Sequence, residues 1–73
     1  MSLAAQRRDL EGLLRDVAST QGILVSAVQA VRATDGWVIS LIDTHDRLLS
    51  TVIEDGPPEV LRDVLTRWLQ REG

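Results

Sequence analysis

Trp37-Val38-Ile39-Ser40-Leu41-Ile42-Asp43-Thr44-His45-Asp46-Arg47-Leu48-Leu49-Ser50-Thr51-Val52-Ile53-Glu54-Asp55 is the stretch on which the fold turns. At about 100° per residue, Val38, Ile39, Leu41, Ile42, His45, Leu48, Leu49, Val52 and Ile53 share one broad arc. Ser40, Asp43, Thr44, Arg47, Ser50, Thr51 and Glu54 fill the opposite arc. This pattern predicts an amphipathic helix from about Trp37 to Asp55. Read by twos, the same residues suggest strands instead. Ile23 to Arg32, Trp37 to Asp43 and Arg47 to Ile53 are rich in Val, Ile, Thr and Trp, with Asp-Gly and Thr-His-Asp as hairpin tips. The alternative fold is therefore α+β: a helix, a three-stranded antiparallel meander and a closing helix. Against it, Leu48-Leu49-Ser50-Thr51-Val52-Ile53 runs in pairs and would leave both sheet faces equally oily, where a half-buried strand alternates. Periodicity favours the helix.

Working outward, Leu3, Leu10, Leu13, Leu14, Val17 and Ala18 form one helical stripe, and its phase continues through Leu24, Val28 and Val31. A long first helix to about Ala33 follows, with Ser19-Thr20-Gln21-Gly22 as the place for a kink or break. Glycine costs about 1 kcal/mol relative to alanine inside a helix, and Ser and Thr compete for backbone bonds. Thr34-Asp35-Gly36 reads as a turn. Asp55-Gly56-Pro57-Pro58 is the second interruption, with Gly56 suited to a helix C-terminus, Pro58 to the first turn of the next helix and Glu59 to its positive end. Val60, Leu61, Val64, Leu65, Trp68 and Leu69 then mark a final helix. Glu11, Asp43 and Asp63 each precede an arginine by four residues, the favourable order for helix-surface pairs.

Size and composition narrow the function. The chain has 73 residues, one small domain, residues 1–73, with a thin core. Hydrophobic residues are 44% and aromatic ones 3%, so the core must be aliphatic plus two tryptophans. Without cysteine, no disulfide can reinforce it, which suits a reducing compartment. The net charge is −3 and the basic residues are scattered arginines that form no stripe, which argues against nucleic-acid binding. Arg7, Arg8, Asp9 and Glu11 interrupt any apolar N-terminal stretch, and no apolar run is long enough to span a membrane. The expectation is a cytoplasmic protein without membrane contact.

No set of residues points to chemistry. On a helix, Asp43 and Ser50 would point away from His45, so no relay from nucleophile to base forms. A buried His45 would instead help pack an interface and could make association sensitive to pH. Ile42-Asp43-Thr44-His45-Asp46-Arg47-Leu48 resembles the Ile-Asp-x-x-His-x-x-Leu pattern on an iron-ligating helix of hemerythrin-like proteins, one residue short before the histidine. Those proteins hold two irons through several histidines and carboxylates; this chain has one histidine. No metal, cofactor or catalytic residue is assigned. Trp68 falls within an apolar stripe and reads as core.

Ile23-Leu24-Val25-Ser26-Ala27-Val28-Gln29-Ala30-Val31, wound as a helix, is apolar nearly all round. Such a helix is buried on more than one side, and a second copy of the chain is the simplest cover. The expected protein is thus an all-α antiparallel bundle. It would act as a non-catalytic interaction module, an oligomerising adaptor, chaperone-like subunit or small regulator, presenting amphipathic helix faces to a protein partner. That partner is most simply itself, as a dimer, through Ile23, Ala27, Ala30, Trp37 and Ile39. The α+β alternative is a small accessory or regulatory domain that dimerises through a sheet face. An enzyme or ligand carrier would need an active site shared between subunits.

Overall fold

The computed structural model describes residues 2–72. Its elements run α1 (Leu3–Thr20), β1 (Val25–Arg32), β2 (Gly36–Asp43), β3 (Leu48–Glu54) and α2 (Pro58–Glu72). The three strands form one antiparallel sheet in the order β1-β2-β3. The fold is α+β, the alternative architecture, and the helical bundle is overturned: the predicted second helix is a β-hairpin, and the second half of the predicted first helix is a strand.

Helix α1 starts at Ser2, whose side chain accepts the Ala5 N–H at 3.1 Å, an N-cap that satisfies a free helix donor. It stops where the Ser-Thr-Gln-Gly weak spot lies. Gly22 takes φ 76°, its N–H donates to the Ser19 carbonyl at 3.0 Å, and the Ile23 N–H donates to the Ala18 carbonyl at 2.9 Å. Those two bonds make a Schellman motif, a full helix stop rather than a kink.

The first hairpin closes with the Ala33 N–H on the Gly36 carbonyl at 2.9 Å, so the turn residues are Thr34 and Asp35. Gly36 is required by close approach. A Cβ there would lie 2.0 Å from the Ile53 carbonyl oxygen, in the backbone of β3. The second hairpin turns on Thr44-His45-Asp46. The Asp46 N–H donates to the Asp43 carbonyl at 3.1 Å, the Asp43 N–H donates to the Arg47 carbonyl at 3.1 Å, and Asp46 holds φ 61°. This is the three-residue hairpin loop with its last residue left-handed, a conformation Asp tolerates better than most. The Asp43 carboxylate fixes the loop from inside, its Oδ1 accepting the N–H groups of His45 at 2.8 Å and Arg47 at 3.0 Å.

Both helices lie on one face of the sheet. Leu10, Leu14, Val17 and Ala18 from α1 and Leu61, Leu65, Trp68 and Leu69 from α2 are buried against Ala30, Trp37, Ile39, Leu41 and Ile53. The final helix begins at Pro58, as the sequence predicts. Of the three acid–arginine pairs read as helical, Asp63 and Arg67 form an ion pair on α2. Glu11 turns to the sheet, and Asp43 and Arg47 belong to the hairpin loop.

One cluster joins the sheet to α2. Arg32 on β1 lies 5.3 Å over the Trp37 ring and donates to Asp55 Oδ2 at 2.9 Å. Asp55 Oδ1 accepts from the Trp37 indole N–H at 3.4 Å and the Gly56 N–H at 2.9 Å. The Arg32 guanidinium, then the Gly56 N–H and the indole, hold the Asp55 carboxyl below its ordinary value.

Candidate functional site

Because side chains alternate along a strand, register sorts each strand residue onto one of two faces. Val28, Ala30 and Arg32 of β1, Trp37, Ile39 and Leu41 of β2, and Leu49, Thr51 and Ile53 of β3 face the helices. The opposite face carries Ala27, Gln29 and Val31; Val38, Ser40 and Ile42; and Leu48, Ser50 and Val52. Among the described residues, no helix or strand packs on it.

Cross-strand neighbours on this open face form three rows. Val31, Val38 and Val52 make an apolar row at one end, and Ala27, Ile42 and Leu48 make another at the far end. Between them runs a polar row of Gln29, Ser40 and Ser50. The Ser50 hydroxyl donates to the Ile39 carbonyl at 3.1 Å. The Ser40 hydroxyl, 3.2 Å from Ser50 Oγ, is therefore the donor of that pair. Large apolar side chains are left in water: Val31 is 48% exposed, Leu48 63%, Val52 69% and Ile42 37%. A shallow hollow of about 500 Å³ lies over Ala27, Val28, Gln29, Ser40, Ile42 and Leu48.

A second concavity, of about 520 Å³, opens between α1 and the start of α2. Leu10, Leu13, Trp37 and Leu61 line it, with Asp9 at its rim and the Asp16–Arg62 ion pair, 2.8 Å, spanning its edge.

The residues predicted for the interface are scattered by the fold. Ala30, Trp37 and Ile39 are buried under the helices, and Ile23 is half-buried against the core at the α1–β1 turn. Ala30, Trp37 and Ile39 are core because β1 and β2 place them on the helix side, so in this fold they offer no contact surface. Ala27 alone of the five lies on the open face. His45 sits exposed at the second hairpin tip, not in an apolar stripe. Valines 31, 38 and 52, Ile42 and Leu48 were missed as surface residues. Their signal was the doubled apolar pattern that argued against a sheet.

Among the described residues, no three His, Asp, Glu or Cys side chains come close enough to hold a metal, and no helix is long and apolar enough to cross a membrane. No protein-family model, curated protein or solved structure matches the chain.

Proposed function

We propose that this chain is a small accessory or regulatory α+β domain, non-catalytic, that associates with a second copy of itself through the open sheet face. One observation carries the reading: two apolar rows flank a polar row on a face that none of the described residues covers. That striping is self-complementary. A twofold axis in the plane of the face, along or across the strands, sets apolar rows on apolar rows and the Gln29–Ser40–Ser50 row on its own copy. Most of the apolar stripes of α1 and α2 is buried in the core, with Leu3, Val60 and Val64 left exposed, which leaves an adaptor that displays helix faces less apolar surface than the open sheet face offers. A net charge of −3 favours a protein partner over nucleic acid, and a chain without cysteine suits the cytoplasm.

Area sets the strength. Three strands about 4.8 Å apart and seven residues long at about 3.3 Å each give a face on the order of 300 Å² in projection. A standard interface buries about 800 Å² per partner. Face-to-face pairing of two copies alone is therefore weak and reversible.

Sedimentation equilibrium over a concentration series tests this. The expected result is reversible self-association that Ile42→Glu, on the central strand, abolishes. Val60→Glu, at a half-exposed valine on α2, leaves it intact. A chain that stays monomeric at millimolar concentration, or equal loss in both variants, refutes the reading.

A further inference from the structure

The two twofold axes open to a face-to-face pair bring different residues together. On an axis parallel to β2, Ala27 faces the partner's Leu48, Val31 faces the partner's Val52 and Gln29 faces the partner's Ser50. Val38, Ser40 and Ile42 then each meet their own copy. On an axis across the strands, Ala27 faces the partner's Val31, Leu48 faces the partner's Val52 and Ile42 faces the partner's Val38. Gln29, Ser40 and Ser50 then each meet their own copy. Stacked sheets run about 30° from alignment. At that angle a corner residue shifts by about 4 Å, less than the strand spacing of about 4.8 Å, so these oppositions hold.

Shape separates the two arrangements. The hollow of about 500 Å³ lies over Ala27, the smallest side chain of the face. Leu48 and Val52, at 63% and 69%, are the most exposed large apolar side chains of the face. The lengthwise axis sets Leu48 of each copy into the hollow of the other. The crosswise axis offers that hollow only the shorter Val31 and drives Leu48 against Val52. Layers interdigitate when large side chains face small ones, which the lengthwise axis provides twice.

Hydrogen bonding separates them in the same direction. Ser50 gives its proton to the Ile39 carbonyl and takes that of Ser40, so a lone pair is all its hydroxyl still offers. Lengthwise, the Gln29 side-chain amide, with two N–H donors, stands opposite that hydroxyl. Crosswise, Ser50 faces Ser50 and no proton is left between them.

We infer that the second copy docks about a twofold axis parallel to β2, with Leu48 of each copy seated in the hollow over Ala27 of the other and the Gln29 amide donating to the partner's Ser50. This geometry rests on the open-face pairing proposed above and names the contacts that orient it. Knob and hollow stand at the two ends of one row, as a self-complementary surface requires.

A swap of knob and hollow tests it by sedimentation equilibrium, with circular dichroism to confirm the fold. Ala27→Leu fills the hollow and Leu48→Ala removes the knob. Each contact occurs twice in the pair, so each change alone should weaken self-association by about tenfold or more. The two changes in one chain exchange knob and hollow and should restore the wild-type constant. A double variant weaker than either single one, or single variants without effect, overturns the lengthwise axis and leaves the face reading standing where Ile42→Glu still abolishes association. A wild-type chain monomeric at millimolar concentration overturns both. Cross-linking gives a second readout, since the chain has no cysteine of its own. Sheets about 10 Å apart let a short thiol-reactive cross-linker join Ile42→Cys to itself on the lengthwise axis. Cross-linking only when Ile42→Cys is mixed with Val38→Cys overturns that axis.

Discussion

Leu41 and Ile42 are neighbours in sequence and opposites in the fold, which makes their alanine variants a direct measurement of the architecture. Leu41 is fully buried beneath the helices, and Ile42 is 37% exposed on the open face. Leu41→Ala removes buried methyl and methylene groups and leaves a cavity that a two-layer fold cannot fill, a loss of about 3 kcal/mol. Ile42→Ala removes a side chain that already sees water and leaves no cavity, so only its partial burial is lost, about 1 kcal/mol. A domain of this length has roughly 4–11 kcal/mol of stability in total. With a urea slope near 1 kcal/mol per molar, the midpoint should fall by about 3 M for Leu41→Ala and about 1 M for Ile42→Ala. The assay is urea unfolding followed by far-ultraviolet circular dichroism and by fluorescence of Trp37 and Trp68, at protein concentrations low enough to hold the monomer. Equal shifts, or a larger one for Ile42→Ala, would refute the face assignment. On the helical wheel both residues share one arc, and both variants would be costly.

Three further outcomes follow from single contacts. Gly36→Ala drives a methyl group into the β3 backbone at Ile53 and should cost about 3 kcal/mol, read as a lowered thermal midpoint; wild-type stability would show that the strands do not approach so closely. Glu11→Ala strands the Ala30 N–H, with an expected loss of about 1–3 kcal/mol and faster exchange at that amide, while an unchanged exchange rate would show that the Glu11 carboxylate does not hold it. The carboxyl of Asp43, held below its ordinary value of 3.8 first by the Arg47 N–H and then by the His45 N–H, and that of Asp55, held down by Arg32, contribute stability above that value. As pH falls through their depressed folded values that contribution is lost. The urea midpoint should stay flat down to about pH 5 and then decline, less steeply in Asp43→Asn and Asp55→Asn than in wild type; parallel acid limbs in all three proteins would contradict it.

Chain punctuation was legible in part without coordinates. The weak spot at Gly22 reads as a kink in a longer helix and not as the full stop the structure shows, and Thr44-His45-Asp46 reads as a hairpin tip only in the α+β alternative. The turn before Gly36 and the helix from Pro58, by contrast, depend on backbone preferences of a few adjacent residues. The apolar stripes of α1 and α2 were legible for the same reason. What lay beyond the sequence was the choice between helix and strand from Val25 to Glu54, because the apolar residues there fit one arc of a helix and, as strands, fall on both faces of a sheet. A strand stabilises itself only through neighbours far along the chain, so its evidence resides in pairing, and pairing became visible only with the register of β1, β2 and β3. Tertiary structure also decided which apolar residues are core and which are surface. Ala30, Trp37 and Ile39 were buried by the arrival of helices on one side, and Val31, Ile42 and Val52 were left facing water on the other. The oil on both sides of the sheet, which speaks for a helix when only the interior is considered, is a physical property of this fold: one face is covered by the helices, and the other is left facing water.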